Sequence, residues 1–249
     1  MTLSVRDLSV QIPLPNGGVV DAVTRVSLVA QPSRIHYLVG GSGSGKSTLL
    51  DAITGLLPAD AIISGQIATD ETGCGLGHTI GVVPQSPATS FTPVRRLGSQ
   101  LSEAVKCLGG KRTPEELLAM VDLDAHALRR YPHELSGGMA QRAAIAAALA
   151  GNPPILLADE PTASLDAQRS LEVLTMLTTL AATGRVVVVA THDIAAVRAA
   201  TVGGNADVSV MFASRVVESG PMRRVLTTPE HSYTGELLAA SEYRFGAAR

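Results

Sequence analysis

One glycine-rich segment constrains the fold of this 249-residue chain more than any other feature. The sequence GGSGSGKS at residues 40–47 follows a strand-like apolar run, residues 35–39, and leads into a helix-like run, residues 47–53. Strand, loop and helix in this order are typical of a phosphate-binding loop, because glycines let successive N–H groups converge on phosphate oxygens and a helix N-terminus attracts anions. The alternative, a flexible glycine–serine loop, accounts for neither the lysine nor the hydroxyl that ends the segment.

The loop predicts how a nucleoside triphosphate is held. The side chain of Lys46 reaches the β- and γ-phosphates, and the hydroxyl of Ser47 is a ligand for Mg²⁺. On its own, the loop leaves both ATP and GTP open. The nucleotide-binding residues that we predict are Gly40, Gly41, Ser42, Gly43, Ser44, Gly45, Lys46, Ser47 and Thr48.

Polar side chains follow two apolar runs that are typical of buried parallel strands. Asp159 and Glu160 come after the run at residues 155–158, and His192 comes after the run at residues 186–190. Because ligands bind at the carboxyl ends of such strands, we predict that Asp159 binds Mg²⁺ and that Glu160 orients or deprotonates the attacking water. Two alternatives stay open, namely an acidic pair that only caps a helix and a histidine with a structural role.

Three further segments carry a family resemblance. Residues 135–142 read LSGGMAQR, residues 155–162 read ILLADEPT and residues 164–166 read SLD. Together with the glycine-rich loop, Gln85 and His192, they make the chain resemble the ATP-binding subunit of ABC transporters over nearly its whole length. The resemblance implies a P-loop NTPase (RecA-like) fold, ATP as the nucleotide, Mg²⁺ as its metal ion, and hydrolysis of ATP coupled to transport.

The resemblance also implies roles for single residues. His192 would contact the γ-phosphate and hold the attacking water, and Gln85 would be a ligand of Mg²⁺ and of that water, so both count as catalytic with Glu160. Asp166 would lie at a dimer interface. The residues expected to contact ATP held by a second subunit are Ser136, Gly137, Gly138 and Gln141. Without the resemblance, Gln85 reads as a solvated loop residue and Ser136 as a helix cap.

The adenine contact departs from the family's pattern. Family members often carry an aromatic residue near the end of the first strand, where it stacks on the base. Residues 8–12 of this chain contain none. We therefore expect Ile12 or Val20 to pack on the base instead.

The chain as a whole predicts one α/β domain, residues 1–249. Residues 3–30 form strand-like runs around a turn at residues 16–18, which predicts an antiparallel β-subdomain before the parallel-sheet core. The apolar runs at residues 155–158 and 186–190 belong to that core.

The middle of the chain has a different sequence pattern from the rest. Residues 86–134 contain helical patches broken by prolines and glycines, and they resemble the inserted helical subdomain of the family. The clearest helix there begins at Pro114, with Thr113 as its N-cap. A loop is expected at residues 73–77, and a short C-terminal tail from about residue 229.

Composition excludes several other functions. Lys and Arg number 20 against 22 Asp and Glu, and aromatic residues make up 3 %, so the chain lacks the charge and the stacking surface of a nucleic-acid-binding protein. Cys74 and Cys107 are far apart and lack metal-ligand spacing, which indicates free thiols. There is no signal-peptide pattern and no apolar run long enough to span a bilayer, so a transporter would need separate membrane-spanning chains.

The C-terminal part narrows the resemblance. Residues 215–220, RVVESG, and residues 229–238, PEHSYTGELL, resemble the ATPases of dipeptide, oligopeptide and nickel importers. We therefore expect a peripheral protein on the cytoplasmic face of the cell membrane. Its partners would be a second ATPase subunit, permease subunits and, indirectly, an extracytoplasmic solute-binding protein. The alternative is a soluble ABC ATPase that acts in translation or DNA repair.

Overall fold

Two sheets and a set of packed helices make up the fold. The structure, a computed structural model, describes residues 1–69, 78–200 and 205–246. The strands of this part are β1 (Leu3–Pro13), β2 (Val19–Ala30), β3 (Arg34–Val39), β4 (Ile62–Thr69), β5 (Ile80–Val83), β6 (Ile155–Asp159), β7 (Val186–Thr191), β8 (Ala206–Phe212) and β9 (Arg215–Pro221). The helices are α1 (Lys46–Thr54), α2 (Leu97–Cys107), α3 (Pro114–Ala119), α4 (Gly137–Ala148), α5 (Ala167–Ala182), α6 (Ile194–Ala200), α7 (Met222–Thr227) and α8 (Ser232–Gly246).

The smaller sheet is antiparallel, with the strand order β2-β1-β4. β1 and β2 form a hairpin whose turn is closed by a hydrogen bond from the N–H of Leu14 to the carbonyl of Gly18, 2.7 Å long. The buried side chains of β1 include Leu3, Val5 and Val10, which pack toward α1. The antiparallel β-subdomain predicted from the alternating pattern is therefore confirmed, and β4 completes it.

The larger sheet has the strand order β5-β6-β7-β3-β8-β9. Every pair from β5 to β8 is parallel, and β9 pairs antiparallel with β8. All residues of β7 are buried, as expected for a strand covered on both faces, and α5 connects β6 to β7 as the crossover helix. The predicted parallel core is confirmed, and it brings the carboxyl ends of β3, β5, β6 and β7 to one edge.

Short helices fill the region between β5 and α4. α3 begins with a full capping box, in which Thr113 and Glu116 each accept a hydrogen bond from the other's backbone N–H, so the predicted cap is confirmed. Leu97 of α2 and Leu117 of α3 are fully buried in the same apolar cluster as the helices of the larger sheet. The division of the chain into a helical subdomain at residues 86–134 and a tail from residue 229 stays a prediction.

The remaining expectations from the sequence concern the two cysteines, one loop and membrane-spanning segments. Cys74 and the loop at residues 73–77 lie outside the described residues, whereas Cys107 is exposed as a free thiol. Within the described ranges, no helix combines the length and apolar character that crossing a membrane requires.

Candidate nucleotide site

The phosphate loop connects the end of β3 to the start of α1. Gly45 has a φ of 100°, and a Cβ there would lie 2.4 Å from the carbonyl oxygen of Ala22. A Cβ on Gly40 would lie 2.3 Å from the carbonyl oxygen of Met211. Both approaches are too close for any side chain, so the neighbouring backbone requires glycine at these two positions. The loop is thereby held against the β2 and β8 segments of the two sheets.

Lys46 lies inside the curve of this loop. Its Nζ donates hydrogen bonds to the carbonyl oxygens of Gly40 and Gly41, at 2.8 and 3.1 Å, and lies 3.5 Å from Oε1 of Glu160. The side chain is 6 % exposed. The one ammonium group therefore links the loop to the carboxyl end of β6, which is where a β- or γ-phosphate would meet it.

Glu160 connects Lys46 to His192. Its Oε2 lies 2.8 Å from Nδ1 of His192 and accepts a hydrogen bond from the backbone N–H of the same residue at 3.3 Å. Glu160 is 8 % exposed, and its backbone has a φ of 44°, in the left-handed region that disfavours a residue with a side chain. The carboxylate is thus held by a cation on one oxygen and an imidazole on the other.

The neighbouring carboxylate fits a metal ligand. Oδ1 of Asp159 is buried and has no hydrogen-bond partner among the described residues, while the hydroxyl of Ser47 hydrogen-bonds the same carboxyl group. Burial and then the charge of Glu160 raise the pKa of Asp159, against the hydrogen bond from Ser47 and the charge of Lys46. A divalent cation would satisfy the unpaired oxygen and offset the burial of its charge, so the donor set suits Mg²⁺.

Lys46, Ser47, Glu160 and His192 line a cleft of about 1070 Å³. Gln85 lines the same cleft with an exposed side chain, so the structure brings this residue together with Lys46, Glu160 and His192, and its role as a ligand of Mg²⁺ and water stays a prediction. Ile12 and Val20 line the same cleft, and their packing on the base stays a prediction. The cleft has the size and the mixed polar and apolar lining of a nucleotide site.

The predicted contacts to a second subunit lie elsewhere. Ser136 is exposed at the start of α4, where its hydroxyl accepts a hydrogen bond from the N–H of Met139 at 3.3 Å, and Gly137 is exposed beside it. Asp166 is exposed as the N-cap of α5. Gln141 differs, because its side chain is 2 % exposed. Contrary to our expectation, it is not presented to a partner with the residues that precede it.

Sequence reasoning missed one wall of the cleft. Tyr233, at the start of α8, accepts a hydrogen bond from the N–H of Gly41, and Leu237, Ala240 and Ser241 of α8 line the cleft. The sequence gives no periodic signal for this contact, because it joins segments 192 residues apart.

Together the loop, the buried lysine and the carboxylates at the strand ends define a P-loop nucleoside triphosphatase. A protein-family model described as "ABC transporter" matches residues 23–163. The chain belongs to the ABC transporter ATP-binding family, whose members bind and hydrolyse ATP to power transport. The resemblance stated from the motifs is confirmed.

Similar proteins agree with this assignment. The chain is 40% identical over 243 residues to a peptide import ATP-binding protein of Brucella ovis, an alignment that covers 87% of this chain and 71% of that protein. It is 33% identical over 259 residues to the oligopeptide transport ATP-binding protein OppD of Bacillus subtilis, covering 96% and 71%. The dimeric structure of the bacterial ABC transporter cassette MJ0796 superposes with a TM-score of 0.73 at 27% identity, covering 89% of this chain and 99% of that one.

Proposed function

We propose that this chain is the ATP-hydrolysing subunit of an ABC importer for peptides. The observation that carries the catalytic part is the chain of contacts from Lys46 through Glu160 to His192, all of which line the cleft. The peptide part is supported by the relatives, which are named for peptide and oligopeptide import. Nickel or a metal chelate remains the alternative substrate, because the names of these relatives do not mention metal transport.

The residues at the cleft divide the work of hydrolysis. Backbone N–H groups of the loop other than that of Gly41, which bonds to Tyr233, and the ammonium of Lys46 bind the phosphates. Ser47, Asp159 and Gln85 would hold Mg²⁺, which neutralises charge on the phosphate oxygens when bound. Glu160, which lines the cleft, accepts a proton from the attacking water. His192 orients Glu160 through the Nδ1 contact and supports the γ-phosphate side of the site.

A second ATPase subunit would complete the site. Ser136 and Gly137 are exposed at the N-terminus of α4, a twelve-residue helix whose dipole favours an anion, and Gly138 follows them. This surface suits the γ-phosphate of ATP bound to another subunit, with Asp166 near the contact. The likeness to a dimeric cassette supports the same arrangement.

The permease partner would dock on the segment after Gln85. Val94 is 79% exposed, more than any other large apolar side chain among the described residues, whereas Phe91 is 7% exposed and packs in the core. Val94 is therefore the better contact for a cytoplasmic helix of the permease. In this arrangement the subunit is peripheral on the cytoplasmic face, and a solute-binding protein acts through the permease from the other side.

Two substitutions test the catalytic proposal in the assembled transporter. Glu160→Gln should keep ATP binding and lower turnover by at least about 100-fold, because the amide preserves the shape but cannot accept the proton. Lys46→Ala should instead weaken nucleotide binding. Glu115→Gln, an exposed change in the first turn of α3, is the control. Normal turnover in Glu160→Gln would refute the assignment of the base.

A further inference from the structure

The C-terminal helix is built into the nucleotide site. Tyr233 opens α8 and accepts the hydrogen bond from the N–H of Gly41 at 3.0 Å. One turn later Leu237 lines the cleft, followed by Ala240 and Ser241. None of these residues belongs to the loop, to the strand ends or to the exposed motif on α4 to which the proposed function assigns the chemistry.

The ring of Tyr233 is stacked on a residue of β8. The ring lies on Phe212, the last residue of β8, with centroids 4.1 Å apart and an angle of 29° between the planes. The preceding residue, Met211, is the one whose carbonyl approaches Gly40. Tyr233 therefore spans from the end of β8 to the first turn of the loop, with its ring on Phe212 and its hydroxyl on Gly41.

A buried carboxylate anchors the segment that carries Tyr233. Glu218 of β9 is 6% exposed and accepts hydrogen bonds from the N–H groups of Glu230 and His231, at 3.0 and 3.2 Å. Nδ1 of His231 in turn accepts a hydrogen bond from the N–H of Tyr233 at 3.2 Å. Arg224 donates to the carbonyl of Ser219 and pairs with Glu230. The start of α8 is thus held by β9 through the backbone of residues 230 and 231 and by the phosphate loop through the hydroxyl of Tyr233.

We infer that Tyr233 is a positioning residue for the nucleotide, which holds the phosphate loop through Gly41 and couples the docking of α8 to occupancy of the cleft. This inference rests on the proposed function only in that the loop binds ATP. The hydroxyl accepts a loop N–H that otherwise needs another acceptor, and so favours the loop conformation present in this structure.

The coupling has to act in both directions. If docked α8 strengthens nucleotide binding by some factor, bound nucleotide must strengthen the docking of α8 by the same factor. The loss of one hydrogen bond corresponds to about a three- to tenfold change. A residue that only fastens α8 to the surface would change the stability of the helix and leave the affinity for nucleotide unaltered.

The test uses the full chain with Tyr233→Phe, which removes the hydroxyl and keeps the ring that stacks on Phe212. Thr227→Val, which removes a hydroxyl bonded only within its own helix region, is the matched control. The dissociation constants of ADP and ATP are measured with Mg²⁺ present. Hydrogen exchange of peptides that cover residues 232–241 is followed with and without ADP.

We expect Tyr233→Phe to weaken both nucleotides about three- to tenfold and to reduce the protection that ADP gives to α8, with no such effects in Thr227→Val. Glu218→Gln weakens the anchor but keeps the tyrosine, and it should also weaken nucleotide binding. This second variant tests the inference if Tyr233→Phe does not fold. Affinities within twofold of the unaltered chain, with a lowered melting temperature only, would overturn the inference and leave the proposed function standing. Failure of the unaltered chain to bind either nucleotide would overturn both.

Discussion

Acid should destabilise this protein through His36, a residue of β3 that lies four positions before the phosphate loop. His36 is 3% exposed, and its Nε2 lies 2.9 Å from Oγ of Ser209, which is in turn 2.8 Å from Oγ of Ser219. Burial first, and then the charge of Arg34, lower the pKa of His36 from its ordinary 6.5 to about 4. The folded chain therefore holds this imidazole neutral where the unfolded chain would protonate it.

The sign and the size of the effect follow from linkage. Because the folded pKa is the lower one, the contribution of His36 to stability is fully present above pH 6.5 and is lost as the pH falls toward 4. Each pKa unit corresponds to about 1.4 kcal/mol, so the whole effect is roughly 3 kcal/mol, of which about 2.5 kcal/mol is lost between pH 7.5 and pH 4.5. That is a substantial part of the stability of an ordinary domain.

Urea unfolding at a series of pH values measures this loss. The free energy of unfolding of the unaltered chain is compared with that of His36→Gln, which can still hydrogen-bond Ser209 but does not titrate. The variant starts from a lower stability and should lose about 2.5 kcal/mol less on acidification. His126→Gln, a change of an exposed histidine, is the control. Equal acid losses in the unaltered chain and in His36→Gln would refute the reasoning.

Three further predictions concern assembly, docking and the C-terminal segment. Glu160→Gln should trap an ATP-bound dimer, and Ser136→Arg should prevent it without stopping nucleotide binding to the monomer; light scattering with the second subunit present decides this. Val94→Cys should cross-link to the permease with a nucleotide-dependent yield, whereas Asn16→Cys on the hairpin should not, and the reverse pattern on gels would contradict the docking site. Hydrogen bonds and the charge of Arg224 outweigh burial and hold the pKa of Glu218 below its usual 4.5, so this carboxylate stabilises the fold above that pH and the stabilisation is lost below it. The melting temperature of Glu218→Gln should therefore fall less on acidification than that of the unaltered chain.

The core of the site follows from local sequence signals. The apolar runs that become β6 and β7 contain no polar residue until the strand ends, which predicts both their burial and the place of Asp159, Glu160 and His192. The glycines and the lysine of the loop likewise have few structural alternatives. These features depend on patterns within about ten residues, which can be read directly from the sequence.

Other features depend on distant contacts and were not predicted. The contact of Tyr233 with Gly41 needs the stacking on Phe212 and the anchor at Glu218, neither of which has a periodic pattern. The burial of Gln141 does have a signal. Ile145 is four residues further along α4 and fully buried, so both side chains lie on one helix face. That spacing predicts a buried Gln141, whereas the family resemblance implies an exposed one.

The left-handed backbone of Glu160 has a consequence for how the sequence changes over generations. With a φ of 44°, a residue such as glutamate costs about 1 kcal/mol or more there, whereas glycine avoids most of that cost and asparagine, whose short polar side chain tolerates this region, avoids part of it. A library selected only for heat resistance, with no demand for transport, should therefore enrich glycine or asparagine at position 160. A library selected for growth on the transported nutrient should keep glutamate. Thermal stability and ATP turnover therefore favour different residues at this position.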